Sequence, residues 1–95
     1  MLIAIDFDDT LTADAALWRH FIELCKLFEH QVVCVTARRD TDDNNETIDS
    51  WMQSHGFDLR VYYSALGSKV EYMRNRGLKV DIWIDDDPRK CAMGH

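Results

Sequence analysis

Three aspartates stand within four positions near the N-terminus, in "IDFDDTLT", directly after an apolar run. A second apolar run, "IWI" (82–84), is followed by Asp85 and Asp86. A hard divalent cation such as Mg²⁺ favours a few carboxylates together with water and phosphate oxygens. A carboxylate can also attack phosphorus as a nucleophile, with a second carboxylate two residues on exchanging the proton. An acidic turn without a role explains either group alone, but not why two apolar runs end in the same way.

A threonine and a lysine accompany these carboxylates. Thr36 ends the β-branched run "QVVCVT", and Lys69 follows Ser68, which has N-cap spacing to Glu71. A cation in the first turn of a helix is disfavoured by the helix dipole, so Lys69 is interpreted as neutralising the nearby aspartates. A solvated surface lysine is the alternative interpretation.

Strand and helix patterns alternate along the chain. A helix-period face at Leu17, Phe21, Leu24 and Phe28 predicts that these residues turn towards the core. Strand and helix signals together predict a parallel sheet with helices on both faces, in the order β-α-β-α-β-α-β-α. The predicted strands cover 2–7, 31–36, 59–63 and 80–84. The predicted helices cover 14–29, the segment between a capping box at Asp43 and Glu46 and a stop at Gly56, and 69–76, with a short one after Asp87.

The polar residues fall where the predicted strands end. Asp6 and Asp8 end the first strand, Thr36 the second, and Asp85 and Asp86 the fourth. Because the carboxyl ends of parallel strands share one edge, where ligands bind in such sheets, these groups are expected to converge.

Composition narrows the classes of function. Ninety-five residues suit a single domain over 1–95. A formal charge of −6 argues against a protein whose main function is to bind nucleic acid. No apolar run is long enough to span a membrane. The three cysteines cannot all pair with one another, which favours reduced thiols and therefore a cytoplasmic location.

With these positions identified, the sequence resembles the haloacid dehalogenase superfamily of aspartate-nucleophile phosphohydrolases. "IAIDFDDTL" matches the family's first motif through Asp6, Asp8 and Thr10, and Thr36 matches the second. Lys69 matches the third motif, and the pair after the last strand matches the fourth. The resemblance implies a three-layer α/β/α Rossmann-like core with strand order 4-1-2-3.

The resemblance also implies a role for each residue. Asp6 is the nucleophile and Asp8 the general acid and base, while Thr36 and Lys69 bind the phosphoryl oxygens. Mg²⁺ is the implied cofactor. Its implied ligands are Asp6, the backbone carbonyl of Asp8, and an acidic residue after the last strand, with Asp86 preferred over Asp85. Thr10 and Arg38 are the predicted substrate-binding residues.

The family usually carries a cap domain over the site, and the sequence leaves no room for one. An uncapped site suits a bulky phosphorylated substrate, such as a nucleotide, a polynucleotide end or a phosphoprotein, or a homo-oligomer whose second subunit covers it. Arg38 is expected either to bind a substrate phosphate or to pair with Asp40, Asp42 or Asp43 of its own loop.

Two other classes of protein stay open. A receiver-like signalling module also combines acidic residues, a threonine and a lysine, but it places its acceptor aspartate after the third strand, where this chain has Tyr63 and Ser64. A binding or regulatory protein could also retain the fold with weak catalysis or none.

Overall fold

The computed structural model describes residues 1–92, apart from the side chains of Pro88 and Lys90. The predicted alternation of strands and helices is confirmed. Residues 93–95, the end of the predicted single domain, lie outside the described residues. No helix within the described part of the chain has the length and apolar character needed to cross a membrane. The strands are β1 (Leu2–Ile5), β2 (Gln31–Thr36), β3 (Val61–Tyr63) and β4 (Ile82–Ile84), and the helices are α1 (Ala15–Leu27), α2 (Asp42–His55), α3 (Lys69–Asn75) and α4 (Pro88–Ala92), with a 3₁₀ turn at Leu11–Ala13.

All strand pairs in the four-stranded sheet are parallel. The strand order is β3-β2-β1-β4, which reads 4-1-2-3 from the β4 edge. The chain therefore builds outward from β1 through β2 to β3, and then crosses back to place β4 on the other side of β1. The point where the order reverses lies between β1 and β4, which is where ligands bind in open sheets of this kind.

Each face of the sheet carries its own apolar core. On one face, Ile5 packs with Ile22 of α1 and Ile48 of α2. On the other face, Val33 packs with Met73 of α3. A parallel sheet with helices on both faces is compatible with the Rossmann-like class.

Polar caps fix where the helices begin and end. The hydroxyl of Ser68 accepts a hydrogen bond from the Glu71 amide, as predicted, so α3 begins at Lys69. Thr41 caps α2 by accepting from the Asn44 amide, so the predicted cap at Asp43 is wrong and the helix begins earlier, at Asp42. Gly56 ends α2 with a left-handed φ of 76°, a conformation that glycine adopts without strain.

The predicted core face of α1 is wrong for three of its four residues, while the fourth, Phe21, is partly buried against the core. Leu17, Leu24 and Phe28 are 54%, 56% and 67% exposed, whereas Ile22 and Cys25 are buried against the sheet. Because α1 has apolar residues on more than one face, the sequence pattern alone does not determine which face is buried. Packing against β1 and β2 buries the face that carries Ile22 and Cys25.

Candidate active site

Asp6 comes directly after β1 and is held by the backbone on both sides. Its amide donates to the Ile84 carbonyl at 2.9 Å, and its carbonyl accepts from the Leu11 amide at 3.2 Å. The chain then turns sharply at Asp9, an exposed residue with a left-handed φ of 62° that aspartate tolerates better than most residues. Asp9 is thus a turn residue, and the turn leaves the Asp6 side chain at the edge shared by β1 and β4.

Lys69 joins the ends of β1 and β4. Its ammonium lies 2.8 Å from Asp6 Oδ1 and 2.6 Å from Asp85 Oδ2, although the three residues are far apart in sequence. The side chain is 1% exposed. Burial alone would lower the pKa of Lys69, but the two carboxylates outweigh it and hold that pKa above its ordinary value. Lys69 is therefore a buried cation between carboxylates and not a surface lysine.

The Asp6 carboxyl is held in an excess of negative charge. Burial raises its pKa to about 6; the hydrogen bond and charge of Lys69 oppose this rise, and the Asp86 and Asp85 carboxyls add to it. One ammonium faces three carboxylates, so two negative charges remain unbalanced when all of them are ionised. A site of this kind is costly to fold without a further positive charge.

Asp85 is fixed by donors other than Lys69. Its Oδ1 accepts from the Asp87 amide at 2.9 Å, and its Oδ2 accepts from the Cys91 thiol at 3.1 Å. Burial raises the pKa of Cys91 to about 12, helped by Asp85, which keeps the thiol protonated as a donor. Burial also opposes ionisation of Asp85, but Lys69, the Asp87 amide and the thiol outweigh it and lower the Asp85 pKa.

Asp6, Asp85 and Asp86 could together hold a metal ion. One carboxylate oxygen from each lies within 4.8 Å of the others. Asp85 gives one oxygen to Lys69, whereas Asp86 is exposed and its carboxyl interacts with that of Asp6. Asp86 is thus the freer of the two acidic residues that follow β4.

The side chain of Asp8 lies away from this cluster and pairs with Arg38. Asp8 Oδ1 and Oδ2 accept from Arg38 Nη2 at 2.8 Å and Nε at 3.0 Å. The third guanidinium nitrogen donates to Asn44 Oδ1 at 3.2 Å. The expectation that Arg38 pairs with acidic residues of its own loop is therefore wrong, because the turn after β1 brings Asp8 to it first. A guanidinium occupied in this way must exchange partners before it can bind a phosphate.

The two predicted threonines lie at the site, each with its hydroxyl engaged. Thr36 is fully buried, and its hydroxyl accepts from the Arg38 amide at 3.2 Å. The Thr10 hydroxyl donates to Asp6 Oδ2 at 3.3 Å. Thr10 thus supports the Asp6 carboxylate in this structure.

The loop between β3 and α3 reaches the site under backbone strain. Ala65 and Leu66 have φ values of 53° and 68°, a left-handed conformation that costs about 1 kcal/mol or more for each residue. Their amides donate to the carbonyls of Arg38 and Ala37, at 3.2 and 2.8 Å. The strained loop therefore ties the segment before Lys69 to the one that carries Arg38, as is common near functional sites.

Sequence reasoning missed two residues of the site. Asn44 accepts a hydrogen bond from the Arg38 guanidinium, and the Cys91 thiol donates one to the Asp85 carboxylate. Cys91 lies one helical turn beyond Pro88, so a helix directly after the acidic pair was a usable signal for it. For Asn44 no signal existed, because its contact depends on the path of the loop.

Comparison of the chain with protein-family models, with curated proteins and with solved structures finds no match. The functional argument therefore depends on the residues and the geometry of this chain.

Proposed function

We propose that the protein is a Mg²⁺-dependent phosphomonoester hydrolase with Asp6 as its nucleophile, built on the core of the haloacid dehalogenase superfamily. One observation carries the proposal: buried Lys69 joins Asp6 and Asp85 at the point where the strand order reverses. If the contact of Lys69 with Asp6 and Asp85 served stability alone, a third carboxylate beside it, that of Asp86, would only add unbalanced negative charge.

The donor set fits a hard divalent cation. The three carboxylates offer oxygen ligands alone, and a cation bound there would stabilise the ionised form of Asp6, whose pKa is raised to about 6 by burial and then by Asp86 and Asp85. Asp6, Asp86 and the backbone carbonyl of Asp8 are the proposed ligands of Mg²⁺, with Asp85 engaged chiefly by Lys69. When bound, the cation neutralises charge on the phosphoryl oxygens and on Asp6.

Asp6 attacks phosphorus through a carboxylate oxygen, so that the new O–P bond forms as the bond to the leaving oxygen breaks. Lys69 offsets the repulsion between the carboxylate and the phosphate, which is the main electrostatic obstacle to this step. Once Arg38 releases it and it takes up a proton from solvent, Asp8 gives that proton to the leaving oxygen and then takes one from the water that attacks the aspartyl phosphate. Phosphate is released and the Asp6 carboxylate is restored.

Arg38 has two candidate roles in this scheme. Its bidentate contact supports a positioning role, in which the guanidinium holds the Asp8 carboxylate at the entrance of the site. The alternative is the predicted substrate-binding role, in which a phosphate replaces Asp8 on the guanidinium. The two roles differ in whether loss of Arg38 lowers kcat or raises KM.

The position of Asp8 also favours a second candidate function. A phosphate-accepting regulatory module needs Asp6 and Lys69 but not a mobile acid and base, and Asp8 is engaged by Arg38. In such a module the aspartyl phosphate accumulates and turns over slowly.

Hydrolysis of a generic aryl phosphate tests the proposal. The purified protein is expected to release phosphate with Mg²⁺ and to stop when EDTA is added. Asp6→Asn is expected to lower kcat by roughly a thousandfold or more, because it removes the nucleophile. Asp9→Asn is the matched control: it makes the same change three residues away, on an exposed side chain whose left-handed backbone asparagine also tolerates. Full activity in Asp6→Asn would overturn the proposal.

A further inference from the structure

A cleft separate from the candidate active site runs along the free edge of the sheet. Among the strands that the structure describes, β3 pairs with β2 alone, and side chains from α2, α3 and the loop before α2 line its outer edge. The cleft has a volume of about 370 Å³ and is polar, with none of the aspartates of the candidate active site in its lining. It is called the β3 cleft below; its lining includes Asp40, Asn45, Asp49, Arg60, Tyr62, Tyr63, Tyr72 and Arg76.

Two arginine–tyrosine stacks form flat surfaces in the β3 cleft. The Arg60 guanidinium carbon lies 5.2 Å from the Tyr62 ring centroid, and that of Arg76 lies 4.4 Å from the Tyr72 ring centroid. Neither guanidinium forms an ion pair or donates a hydrogen bond among the described side chains. Both arginines therefore have flat faces and unused donors, which suit planar rings and phosphate oxygens.

The cleft also presents hydrogen-bond acceptors. Asn45 Nδ2 donates to Asp40 Oδ1 at 3.0 Å, which leaves Asn45 Oδ1 as the acceptor of this side chain. That oxygen is buried and has no partner within the described residues. A buried acceptor without a donor is costly to the fold, and a ligand N–H would satisfy it. The carboxylates of Asp40 and Asp49 favour the same kind of donor.

The β3 cleft begins at the same edge of the sheet as the candidate active site. Tyr63 pairs in register with Thr36, where β2 and β3 both end. Asp40 lies two residues beyond Arg38 in the loop after β2. A chain-like substrate with its phosphate at Asp6 can thus extend past Arg38 towards the cleft.

We propose that the β3 cleft binds one nucleotide unit of a single-stranded nucleic acid, the base stacking on the Arg60–Tyr62 and Arg76–Tyr72 pairs with a base N–H directed at Asn45 Oδ1. This inference rests on the proposed function, since the nucleotide belongs to the phosphorylated substrate. Stacking with edge hydrogen bonds is the usual way in which unpaired bases are recognised. A peptide added to β3 as an extra strand is disfavoured, because β3 is only three residues long.

The charges of the β3 cleft predict an unusual salt dependence. Two arginines face two aspartates in the cleft, and the whole chain is acidic, so binding depends on the bases and not on the phosphate backbone. Binding that depends on phosphate neutralisation weakens steeply with salt. Here, affinity is expected to fall only slightly between low and moderate salt.

The test measures binding of a fluorescein-labelled single-stranded octanucleotide, without terminal phosphate and in EDTA, by fluorescence anisotropy. The same backbone without bases is the comparison probe. We expect the probe with bases to bind at least roughly tenfold more tightly than the abasic probe, in line with the strength of base stacking on aromatic rings. Equal binding of the two probes, or no binding of either, would overturn the proposal.

Variants locate the binding and separate it from catalysis. Arg60→Gln with Arg76→Gln is expected to weaken binding by roughly tenfold, because each arginine supplies a flat cationic face. Arg19→Gln with Arg74→Gln makes the same charge change on exposed helical residues outside the cleft and is expected to leave binding unchanged. An equal loss in the two double variants would overturn the assignment to the β3 cleft.

Hydrolysis assays distinguish the failure of the cleft from the failure of the proposed function. The cleft double variant is expected to keep its activity on a small aryl phosphate and to lose kcat/KM on a terminally phosphorylated octanucleotide. Base-dependent binding without any hydrolysis supports the cleft and contradicts the phosphatase. Hydrolysis without base-dependent binding contradicts the cleft and leaves the phosphatase standing.

Discussion

Two cation–carboxylate contacts lie at the carboxyl edge of the sheet, and they differ in their exposure to water. Lys69 is 1% exposed and lies between Asp6 and Asp85, whereas Arg38 is 31% exposed and pairs with Asp8. A buried pair cannot exchange its partner for water without a large desolvation cost. A half-exposed pair contributes little to stability and exchanges readily. The difference suggests that Lys69 fixes the charge of the site, while Arg38 can release Asp8 or receive a substrate.

The buried contact also differs in charge balance. The Arg38–Asp8 pair is neutral, whereas Lys69 leaves the three carboxylates around it with an excess of negative charge. A fold optimised for stability alone would not retain that excess, and functional sites commonly carry such a cost. The comparison therefore supports the proposal that Asp6 carries the chemistry and that Asp8 is the residue free to move.

Removal of the buried cation is expected to have the largest effect. Lys69→Gln leaves Asp6 and Asp85 buried without their partner, which should lower the free energy of unfolding by about 3–5 kcal/mol. Chemical denaturation of the metal-free protein at about pH 7.5 measures this loss. Lys79→Gln, the same change at an exposed lysine, is the control and should cost little.

The loss in Lys69→Gln should depend on pH in a defined direction. The pKa of Asp6 is already raised to about 6, and Lys69 lowers it, so the variant should have a still higher value. A folded-state pKa above the unfolded value gives stability that is lost as the pH rises through it. The cost of Lys69→Gln should therefore be smaller near pH 5 than near pH 7.5. A cost that is equal at both values would contradict the proposed charge excess.

Removal of the exposed cation is expected to have a smaller effect, visible mainly in kinetics. If Arg38 positions Asp8, Arg38→Gln should lower kcat on an aryl phosphate by roughly tenfold with little change in KM. The free energy of unfolding should fall by less than about 1 kcal/mol, as expected for a half-exposed pair. Steady-state kinetics and denaturation of the same preparation measure both quantities.

The neighbouring arginine supplies the control for that experiment. Arg39 is exposed, and its side chain makes no hydrogen bond or ion pair among the described residues, so Arg39→Gln should match the unmodified protein. A rise in KM at constant kcat in Arg38→Gln would support substrate binding instead of positioning. Unchanged kinetics in Arg38→Gln would exclude both roles.

Much of the framework of the site could be predicted from sequence. Asp6, Lys69, Asp85 and Asp86 converge as expected, because the ends of parallel strands share one edge and Ser68 fixes where α3 begins. These inferences needed only strand ends and one helix cap, both of which are local signals.

The finer contacts could not be predicted, because they depend on loop paths and packing choices. Arg38 had acidic neighbours in its own loop, and only the turn through Asp9 brings Asp8 closer to it. The core face of α1 was misassigned because exposed Leu24 and buried Ile22 are equally apolar in sequence. In both cases tertiary packing selects between alternatives that local pattern leaves open.

The most direct test of the central claim is chemical trapping of the phosphorylated aspartate. Protein quenched in acid during turnover of an aryl phosphate is treated with borohydride, which reduces an acyl phosphate to an alcohol, and the peptides are analysed by mass spectrometry. The account predicts that Asp6 alone is converted to homoserine, in the unmodified protein and in Asp9→Asn but not in Asp6→Asn. Conversion at another carboxylate, or none while phosphate is being released, would contradict Asp6 as the nucleophile.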